Sequence, residues 1–516
     1  MTGSKVLAAA AAVAVSAAAA AAQNGSQFRD WNDTALADNP RLAPKLACAA
    51  LVSQTGYDVS VLSATTIAAA GDVPDFCRVI GLIQPEVRFE VDLPARWNGR
   101  VYMLGNGGYA GEALDNPGRE GTAARAVGRG FVAVQTNTGH DGATEPLAAF
   151  AANPQKLADY AFRAVHVTVV TAKALASAYY TAPASRAYFD GCSTGGRQGL
   201  ISAQRFPDDF DGIVVGAPVL NFSATMIGYA KDQKALAAAP LNADAVRTIA
   251  EAVLAKCDVL DGVKDGAIDD PRRCPFNPSK DIPTCGGDAP AAGCLTAAQI
   301  GSVETIYAPL RRGSGAFFPG WPVGAESGWI PWFQSPNGKS IAWSFGEAYL
   351  KNIAFGRARA SYDWLTFDVN ADLDKIQASQ ALIDATSPDL SRFKARGGKI
   401  VSYVGWADPA LNPLMSVGYY ESVTQAMGPS TPEFYRMFMV PGMAHCGGGS
   451  GTSAFDAFTP LVQWVEKGTA PASLPASRVV DGKVVRTRPL CPYPQTAIYK
   501  GSGSTDDAAN FACGVR

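Results

Sequence analysis

A serine between glycines is the first feature of this sequence whose chemistry can be inferred. Gly191-Cys192-Ser193-Thr194-Gly195 fits the pattern G-x-S-x-G, in which a sharp strand-to-helix turn exposes a serine hydroxyl. The apolar stretch Ala187–Asp190 precedes this motif, and the helix-compatible stretch Arg197–Arg205 follows it. This context favours a nucleophile over an ordinary glycine-rich turn, so we predict that Ser193 forms a covalent acyl intermediate.

A serine nucleophile needs a base, and the sequence contains only three histidines. Where this motif marks a catalytic triad, the chain order is Ser, then Asp or Glu, then His. Only His445 follows the serine, and it stands in a glycine-rich loop after a strand-like stretch. His166 falls within a helical pattern and is expected to be structural, and His140 is expected to support a loop. We therefore predict that His445 is the base.

The acid of the triad should follow a strand between the serine and the histidine. Asp408 comes directly after the apolar stretch Lys399–Val404 and a short turn. There it would hold the tautomer of the imidazole and stabilise its charged form. Asp384 and Asp389 are competitors, but each precedes that strand. We therefore predict that Asp408 is the acid.

The tetrahedral intermediate of such a reaction needs backbone N–H groups that stabilise its oxyanion. Thr194, directly after the serine, supplies one by its position. A second should come from the loop after an early strand, and Gly105–Tyr109 directly follows the apolar stretch Val101–Leu104. Either Gly107 or Gly108 would let the backbone approach a substrate closely.

Alternating or apolar runs bounded by glycine and proline predict the strands that would position these residues. A helical pattern spans Lys156–Tyr180, and another spans Asp389–Arg396. Strands separated by helices predict an α/β fold with a mostly parallel sheet. The strand-like runs are Val87–Leu93, Val101–Leu104, Phe131–Gln135, Ala187–Asp190, Ile213–Val215, Lys399–Val404 and Tyr435–Val440.

The regular pattern is lost in the middle of the chain, where tryptophan, glycine and proline are frequent and the sequence reads as irregular. We predict one α/β core, residues 23–218 and 389–516, interrupted by a lid, residues 219–388. The 516 residues carry a net charge of −2, and 17% of them are charged. This composition excludes a disordered chain and argues against nucleic acid or a charged membrane surface as a partner.

The first 22 residues are typical of a signal peptide. Lys5 precedes a run of alanine and valine, and Ala20–Ala22 forms a small-residue cleavage site. We therefore predict cleavage near Ala22 and a secreted or periplasmic protein. All ten cysteines follow this segment, so an oxidising compartment would allow them to form disulfides. Sequence alone leaves their pairing open.

Two cysteines flank the predicted catalytic residues: Cys192 precedes Ser193, and Cys446 follows His445. This Cys-Ser…Asp…His-Cys arrangement resembles the tannase and feruloyl esterase family of α/β-hydrolases over nearly all of the mature chain. The resemblance implies an α/β-hydrolase core with a large inserted lid, no organic cofactor and a Cys192–Cys446 disulfide. It also agrees with the pairings of sequence neighbours: Cys48–Cys77, Cys257–Cys274, Cys285–Cys294 and Cys491–Cys513.

A segment of the lid combines three carboxylates with interleaved glycines, a composition that can surround a hard cation. It is not an EF-hand, because Arg272 stands where the twelfth-position glutamate belongs. The alternative is a solvated acidic turn closed by a disulfide. The family resemblance implies a structural Ca²⁺ site with carboxylate ligands from Asp258, Asp261 and Asp265 and carbonyl ligands from Val263 and Ala267.

Specificity is expected to come from the aromatic residues of the lid, which suit an aromatic acyl group. The alternative is that most of them form the core of the lid. Members of the family that hydrolyse terephthalate monoesters use a lid arginine, and the corresponding segment, residues 328–332, has none. This favours hydroxycinnamic or gallic esters. The residues predicted to bind substrate are Trp329, Trp332 and Leu411.

The sequence thus predicts a secreted serine carboxylic-ester hydrolase that acts on aromatic esters, either small molecules or parts of plant polymers. It offers no prediction of the oligomeric state. The alternatives are a terephthalate-monoester hydrolase, a serine peptidase on the same fold and a non-catalytic, calcium-dependent binding protein.

Overall fold

The computed structural model describes residues 41–336 and 338–516. The predicted signal peptide, residues 1–22, lies outside the described residues. In the part of the chain that is described, no helix is long and apolar enough to cross a membrane.

The centre of the fold is a nine-stranded sheet with the order β1-β2-β3-β5-β4-β6-β7-β10-β11. The six strands from β5 to β11 in this order are parallel, whereas β1, β2 and β3 are antiparallel, as is the pairing of β3 with β5. The strands are β1 Val59–Ile67, β2 Phe76–Ile83, β3 Val87–Pro94, β4 Arg100–Leu104, β5 Val132–Thr136, β6 Arg186–Cys192, β7 Gly212–Gly216, β8 Leu310–Arg312, β9 Gly315–Phe318, β10 Lys399–Gly405, β11 Tyr435–Val440, β12 Ala454–Phe455, β13 Leu474–Val480, β14 Lys483–Leu490, β15 Thr496–Tyr499 and β16 Phe511–Gly514.

Helices cover both faces of this sheet, as the α/β class requires. Apolar residues of α3, α4 and α14 pack on one face, and those of α1 and α15 pack on the other. The helices are α1 Pro117–Gly128, α2 Pro154–Ala158, α3 Ala164–Tyr180, α4 Thr194–Arg205, α5 Phe222–Ala238, α6 Ala243–Cys257, α7 Pro278–Asp281, α8 Ala297–Tyr307, α9 Trp329–Trp332, α10 Ile341–Asn352, α11 Val369–Asp372, α12 Gln377–Ile383, α13 Ser391–Ala395, α14 Pro413–Met427 and α15 Phe458–Lys467. A single π-helical turn, Asp159–Arg163, separates α2 from α3.

The predicted α/β class and the seven predicted strands are confirmed, each strand within two residues of its observed ends. Strands β4, β5 and β7 are buried at every position, which is why they read as short apolar runs. Strand β1 was not predicted because it mixes buried and exposed positions and therefore does not read as an apolar run. The helix predicted over Lys156–Tyr180 is interrupted by the π turn.

The prediction of an irregular lid is wrong, because long helices occupy much of residues 219–388. Helix α5 is buried on nearly every side, so its sequence lacks the polar face that makes a helical pattern visible. Between β7 and β10, the chain adds no strand to the nine-stranded sheet. It forms an apolar core of its own, which also contacts Tyr109 and Tyr160. The boundaries at residues 219 and 388 stay a prediction.

A buried ion pair fastens helix α15 to the sheet. Both carboxylate oxygens of Glu466 accept hydrogen bonds from Arg100 at 2.7 Å, and the hydroxyl of Tyr188 donates to the same carboxylate at 2.6 Å. The Arg100 side chain is only 2% exposed. Removal of one partner would therefore leave a buried, unpaired charge.

We predict that Glu466→Ala lowers the free energy of unfolding by about 3–5 kcal/mol, the usual effect of breaking a buried pair. Urea unfolding monitored by fluorescence would measure it. The control is Glu251→Ala, because Glu251 is 73% exposed and lies 3.9 Å from Arg247. Loss of that pair should change the free energy by less than about 1 kcal/mol. Equal effects of the two substitutions would contradict the prediction.

Candidate active site

The predicted catalytic residues lie at the carboxyl ends of parallel strands. Ser193 directly follows β6, Asp408 follows β10, and His445 follows β11. The loop that begins at Gly105 follows β4, the neighbour of β6 in the sheet. Because the carboxyl ends of parallel strands share one edge of the sheet, these four segments meet there.

The turn at Ser193 has the strained geometry of a nucleophile elbow. Its φ and ψ angles are 64° and −121°, a region that side-chain-bearing residues rarely adopt. Glycines make this turn possible, because a Cβ on Gly191 would lie 2.7 Å from the Gly195 backbone. A Cβ on Gly196 would lie 2.4 Å from the carbonyl oxygen of Gly216. The backbone therefore presents Ser193 at the start of α4.

An acid and a base are paired beside this turn. Asp408 Oδ2 lies 2.9 Å from His445 Nδ1, and the Asp408 side chain is fully buried. Its other oxygen accepts the N–H groups of Ala410 and Leu411 at 2.8 and 2.9 Å. These bonds fix the carboxylate, which accepts the proton of Nδ1 and leaves Nε2 as the basic nitrogen.

A disulfide joins the segment of the serine to that of the histidine. Cys192 and Cys446 are bonded, with their Cα atoms 6.0 Å apart. Among the described residues, no hydrogen bond joins Ser193 Oγ to His445, whose Nε2 lies 3.6 Å from Cys446 Sγ. Such bonds are often long in an enzyme without substrate. The structure contains the other four pairs that the resemblance implied: Cys48–Cys77, Cys257–Cys274, Cys285–Cys294 and Cys491–Cys513.

The loop after β4 packs directly on the nucleophile elbow. A Cβ on Gly105 would lie 2.7 Å from Gly191 Cα. The N–H of Gly107 donates to Glu112 Oε1 at 3.1 Å, so this group is already engaged in a hydrogen bond. The N–H of Gly108 donates to no acceptor within the described residues. Of the two predicted glycines, Gly108 is therefore the one whose N–H is available to bind an oxyanion.

The other two histidines have structural partners. His140 Nε2 lies 3.0 Å from the carbonyl oxygen of Tyr109, and burial lowers the pKa of its imidazole. His166 is paired with Asp209 at 2.9 Å and stacks on Phe206. These contacts agree with the supporting roles predicted for both residues.

Within the described residues, the competing aspartates form no hydrogen bond or ion pair with a histidine. Asp384 accepts the N–H of Ser223 at 2.9 Å, and burial raises its pKa to about 7. Asp389 accepts the N–H of Ser391 at the start of α13. Asp408 is therefore the acid that the geometry pairs with the imidazole.

Only some of the lid aromatics reach the site. The half-buried ring of Trp332 lies edge-on to His445, with centroids 5.6 Å apart. Trp329 is 1% exposed and packs against Tyr307 and Phe333. It therefore contributes to the apolar core of the lid, and its role in substrate binding stays a prediction. Leu411 is buried beside Asp408.

Phe345 is a site residue that the sequence did not reveal. Its ring approaches the loop after β4, since a Cβ on Gly108 would lie 3.5 Å from Phe345 Cζ. The hydroxyl of Tyr109 also donates to the Phe345 carbonyl at 3.0 Å. The two residues are 236 positions apart, so no local pattern could have linked them.

The acidic segment of the lid is folded around its own backbone. Asp258 accepts the N–H groups of Asp265 and Gly266 at 3.0–3.1 Å. Asp265 pairs with Arg488 at 2.5 Å. Burial and the nearby carboxylates of Asp269 and Asp265 raise the pKa of Asp261 to about 6. In the described residues, no three acidic, histidine or cysteine side chains converge as metal ligands.

Two features of this segment nevertheless suit a cation. Val263 and Ala267 are buried, and no described residue donates a hydrogen bond to either carbonyl oxygen. Asp261 accepts one backbone N–H, that of Val263. A hard cation would be a suitable partner for these carbonyl and carboxylate oxygens.

The fold and the site together define a class of protein. A sheet whose parallel strands carry a serine elbow, an aspartate and a histidine at their carboxyl ends, in that chain order, is the core of an α/β-hydrolase. The chain belongs to the tannase and feruloyl esterase family, since the family model described as tannase and feruloyl esterase matches residues 72–514. The resemblance seen in the sequence is thus confirmed, and the protein is a carboxylic ester hydrolase.

Relatives in this family differ in the activities for which they are named. The chain is 33% identical to mono(2-hydroxyethyl) terephthalate hydrolase from Piscinibacter sakaiensis, over 92% of each chain. It is 32% identical to feruloyl esterase B from Aspergillus niger, over 85% of this chain and 87% of the relative. The crystal structure of feruloyl esterase B from Aspergillus oryzae superposes with a TM-score of 0.80 at 28% identity, over 91% of this chain and all of that chain.

We predict that the double variant Cys192→Ala/Cys446→Ala loses ester hydrolysis by about 100-fold or more, because a misplacement of about 1 Å between reacting groups has an effect of that size. Initial rates on an aryl ester would measure it. The control is Cys285→Ala/Cys294→Ala, which opens a disulfide of the lid with a sequence separation of 9. Similar rates for the two double variants would contradict the prediction.

Proposed function

We propose that the protein hydrolyses esters of aromatic carboxylic acids of the hydroxycinnamic or gallic type through a Ser193–His445–Asp408 triad. The observation that carries the proposal is the 2.9 Å pair of His445 and Asp408, held to the serine turn by the Cys192–Cys446 disulfide. Membership of the tannase and feruloyl esterase family supports the same chemistry.

In the first half of the reaction, Ser193 Oγ attacks the ester carbonyl carbon while its proton passes to His445 Nε2. Asp408 stabilises the resulting imidazolium. The N–H groups of Thr194 and Gly108 bind the oxyanion. Collapse of the tetrahedral intermediate breaks the ester bond, and the proton on Nε2 passes to the departing alcohol.

In the second half, water attacks the acyl-enzyme and gives its proton to His445 Nε2. The second tetrahedral intermediate uses the same two N–H groups. Its collapse returns the proton to Ser193 Oγ and releases the carboxylic acid. The enzyme is then restored, and one water has been consumed for each ester.

The lid supports an aromatic acyl group. Trp332 lies beside His445 and Phe345 lies beside Gly108, so aromatic rings are available near the base and near one oxyanion donor to contact an aromatic acyl group. Residues 328–332 contain no arginine to grip a free carboxylate, which favours ferulate or gallate esters. A terephthalate monoester is the second candidate, because a relative at 33% identity is named for that substrate.

We also propose that the protein is exported and carries a structural Ca²⁺. Residues 1–22 and the five disulfides support export. The carboxylates of Asp258, Asp261 and Asp265, with the carbonyls of Val263 and Ala267, would hold the ion, which would neutralise the acidic segment.

We predict that Ser193→Ala lowers kcat for methyl ferulate by at least about 1,000-fold, since the triad nucleophile is lost. The control is His166→Ala, because His166 and Asp209 form a histidine–aspartate pair of the same 2.9 Å geometry with no role in the reaction. That variant should retain its activity.

Rates on methyl ferulate, methyl gallate and mono(2-hydroxyethyl) terephthalate, measured side by side, test the substrate class. We expect the first two to be hydrolysed faster. If Ser193→Ala keeps wild-type activity, the mechanism is wrong; if the terephthalate monoester is the fastest substrate, the second candidate replaces the first.

We predict that the purified protein contains one calcium ion per chain and that chelation by EDTA lowers its Tm, because an ion that binds only the folded state stabilises it by about 2.7 kcal/mol at 100 times its Kd. Elemental analysis and thermal scanning would measure both effects. Asp261→Asn should reduce the calcium content, whereas Asp244→Asn, an exposed lid aspartate, should not. A calcium-free protein whose Tm ignores EDTA would refute the site.

A further inference from the structure

The two halves of the proposed oxyanion hole are joined by a side chain. Thr194 and Gly108 each contribute one backbone N–H to the hole. The hydroxyl of Thr194 also donates a hydrogen bond to the carbonyl oxygen of Gly108. The residues that carry the two oxyanion donors are therefore bonded directly to each other.

A second hydroxyl reaches the same carbonyl. Tyr160 OH donates to the Gly108 oxygen at 3.0 Å and lies 3.5 Å from Thr194 Oγ1. The Tyr160 side chain is buried, and burial raises the pKa of its phenol, so the phenol remains a hydrogen-bond donor at neutral pH. Both lone pairs of one glycine carbonyl are thus occupied by hydroxyl donors.

Helix α4, which begins directly after Ser193, holds the Tyr160 ring in place. Tyr160 belongs to the π turn Asp159–Arg163, a deviation from α-helix that is often found at functional sites. Arg197, on α4, is fully buried and donates to the carbonyls of Tyr160 and Ala161 at 3.1 and 2.8 Å. Its guanidinium lies 4.9 Å from the Tyr160 ring centroid.

This support matters because the two glycines of this loop have much conformational freedom to lose when the loop is ordered. Gly107 and Gly108 are consecutive glycines, and Gly108 has a positive φ of 48°. Glycine loses more conformational entropy on ordering than any other residue. An oxyanion hole is effective only when its donors are already in place before the charge develops. Fixed side chains must therefore restrict the loop.

We propose that Tyr160 is a positioning residue for the oxyanion hole, which acts with the hydroxyl of Thr194 by fixing the carbonyl of Gly108. The inference rests on the proposed function, because it presupposes that Ser193 is acylated. It adds a residue that touches neither the substrate nor the triad. Loss of either hydroxyl should weaken binding of the transition state more than binding of the ground state.

The test compares Tyr160→Phe and Thr194→Val with the wild type. Each should lower kcat by about 10-fold, less than the 100- to 1,000-fold effect of losing an oxyanion donor outright, and KM should change by less than about 2-fold. Thr194→Ser, which restores the hydroxyl, should recover most of the activity lost in Thr194→Val. The inhibition constant of phenylboronic acid, whose serine adduct is tetrahedral, should rise by the same factor as kcat falls.

A matched control separates positioning from general destabilisation. Tyr180 is also a buried tyrosine whose hydroxyl donates to a backbone carbonyl, that of Pro94, at 2.6 Å. Tyr180→Phe should lower the Tm and leave kcat and the boronic acid inhibition constant unchanged.

The inference is overturned if Tyr160→Phe and Thr194→Val keep the wild-type kcat and affinity for phenylboronic acid. It is also overturned if Tyr180→Phe weakens that affinity equally. Failure of the proposed function looks different: a fluorophosphonate would not label Ser193, and Ser193→Ala would stay active.

Discussion

The backbone at Ser193 is held in a conformation that a residue with a side chain avoids, and much of the fold serves to keep it there. Strand β6 has to end and helix α4 has to begin within one residue. A Cβ on Gly191 or Gly196 would lie less than 3 Å from backbone atoms of Gly195 or Gly216, and a Cβ on Gly195 would lie 3.2 Å from the loop after β4. The strain is tolerated because the sheet on one side and the helix on the other leave no space for relaxation.

Helix α4 does more than follow the nucleophile. Two of its side chains bond to the loop after β4, and a third bonds to the π turn beside that loop. Thr194 contacts Gly108, Arg197 holds the π turn, and Gln198 bonds both the N–H and the side chain of Asn106. One helix thus bonds both to the loop after β4 and to the π turn, and it begins directly after the serine. The histidine loop is tied to the serine turn by the disulfide.

The sequence predicted the parts of the site that follow strands in the chain. Ser193, Asp408 and His445 each stand just past an apolar run, and the order of residues along the chain was enough to pair them. It did not predict Tyr160, Phe345 or Glu112, whose contacts to the loop after β4 come from separate elements with no shared motif. The lid was misjudged for a related reason: a helix buried on all sides has no amphipathic pattern.

The disulfide between Cys192 and Cys446 joins two residues 254 positions apart and so closes a large covalent ring. The ring contains β7, the whole lid and β10. Insertions or deletions in the lid change the number of residues in the ring. They do not change the disulfide that closes it, next to Ser193 and His445. Segments of the lid can therefore be lengthened or shortened while the covalent link between the serine turn and the histidine loop stays the same.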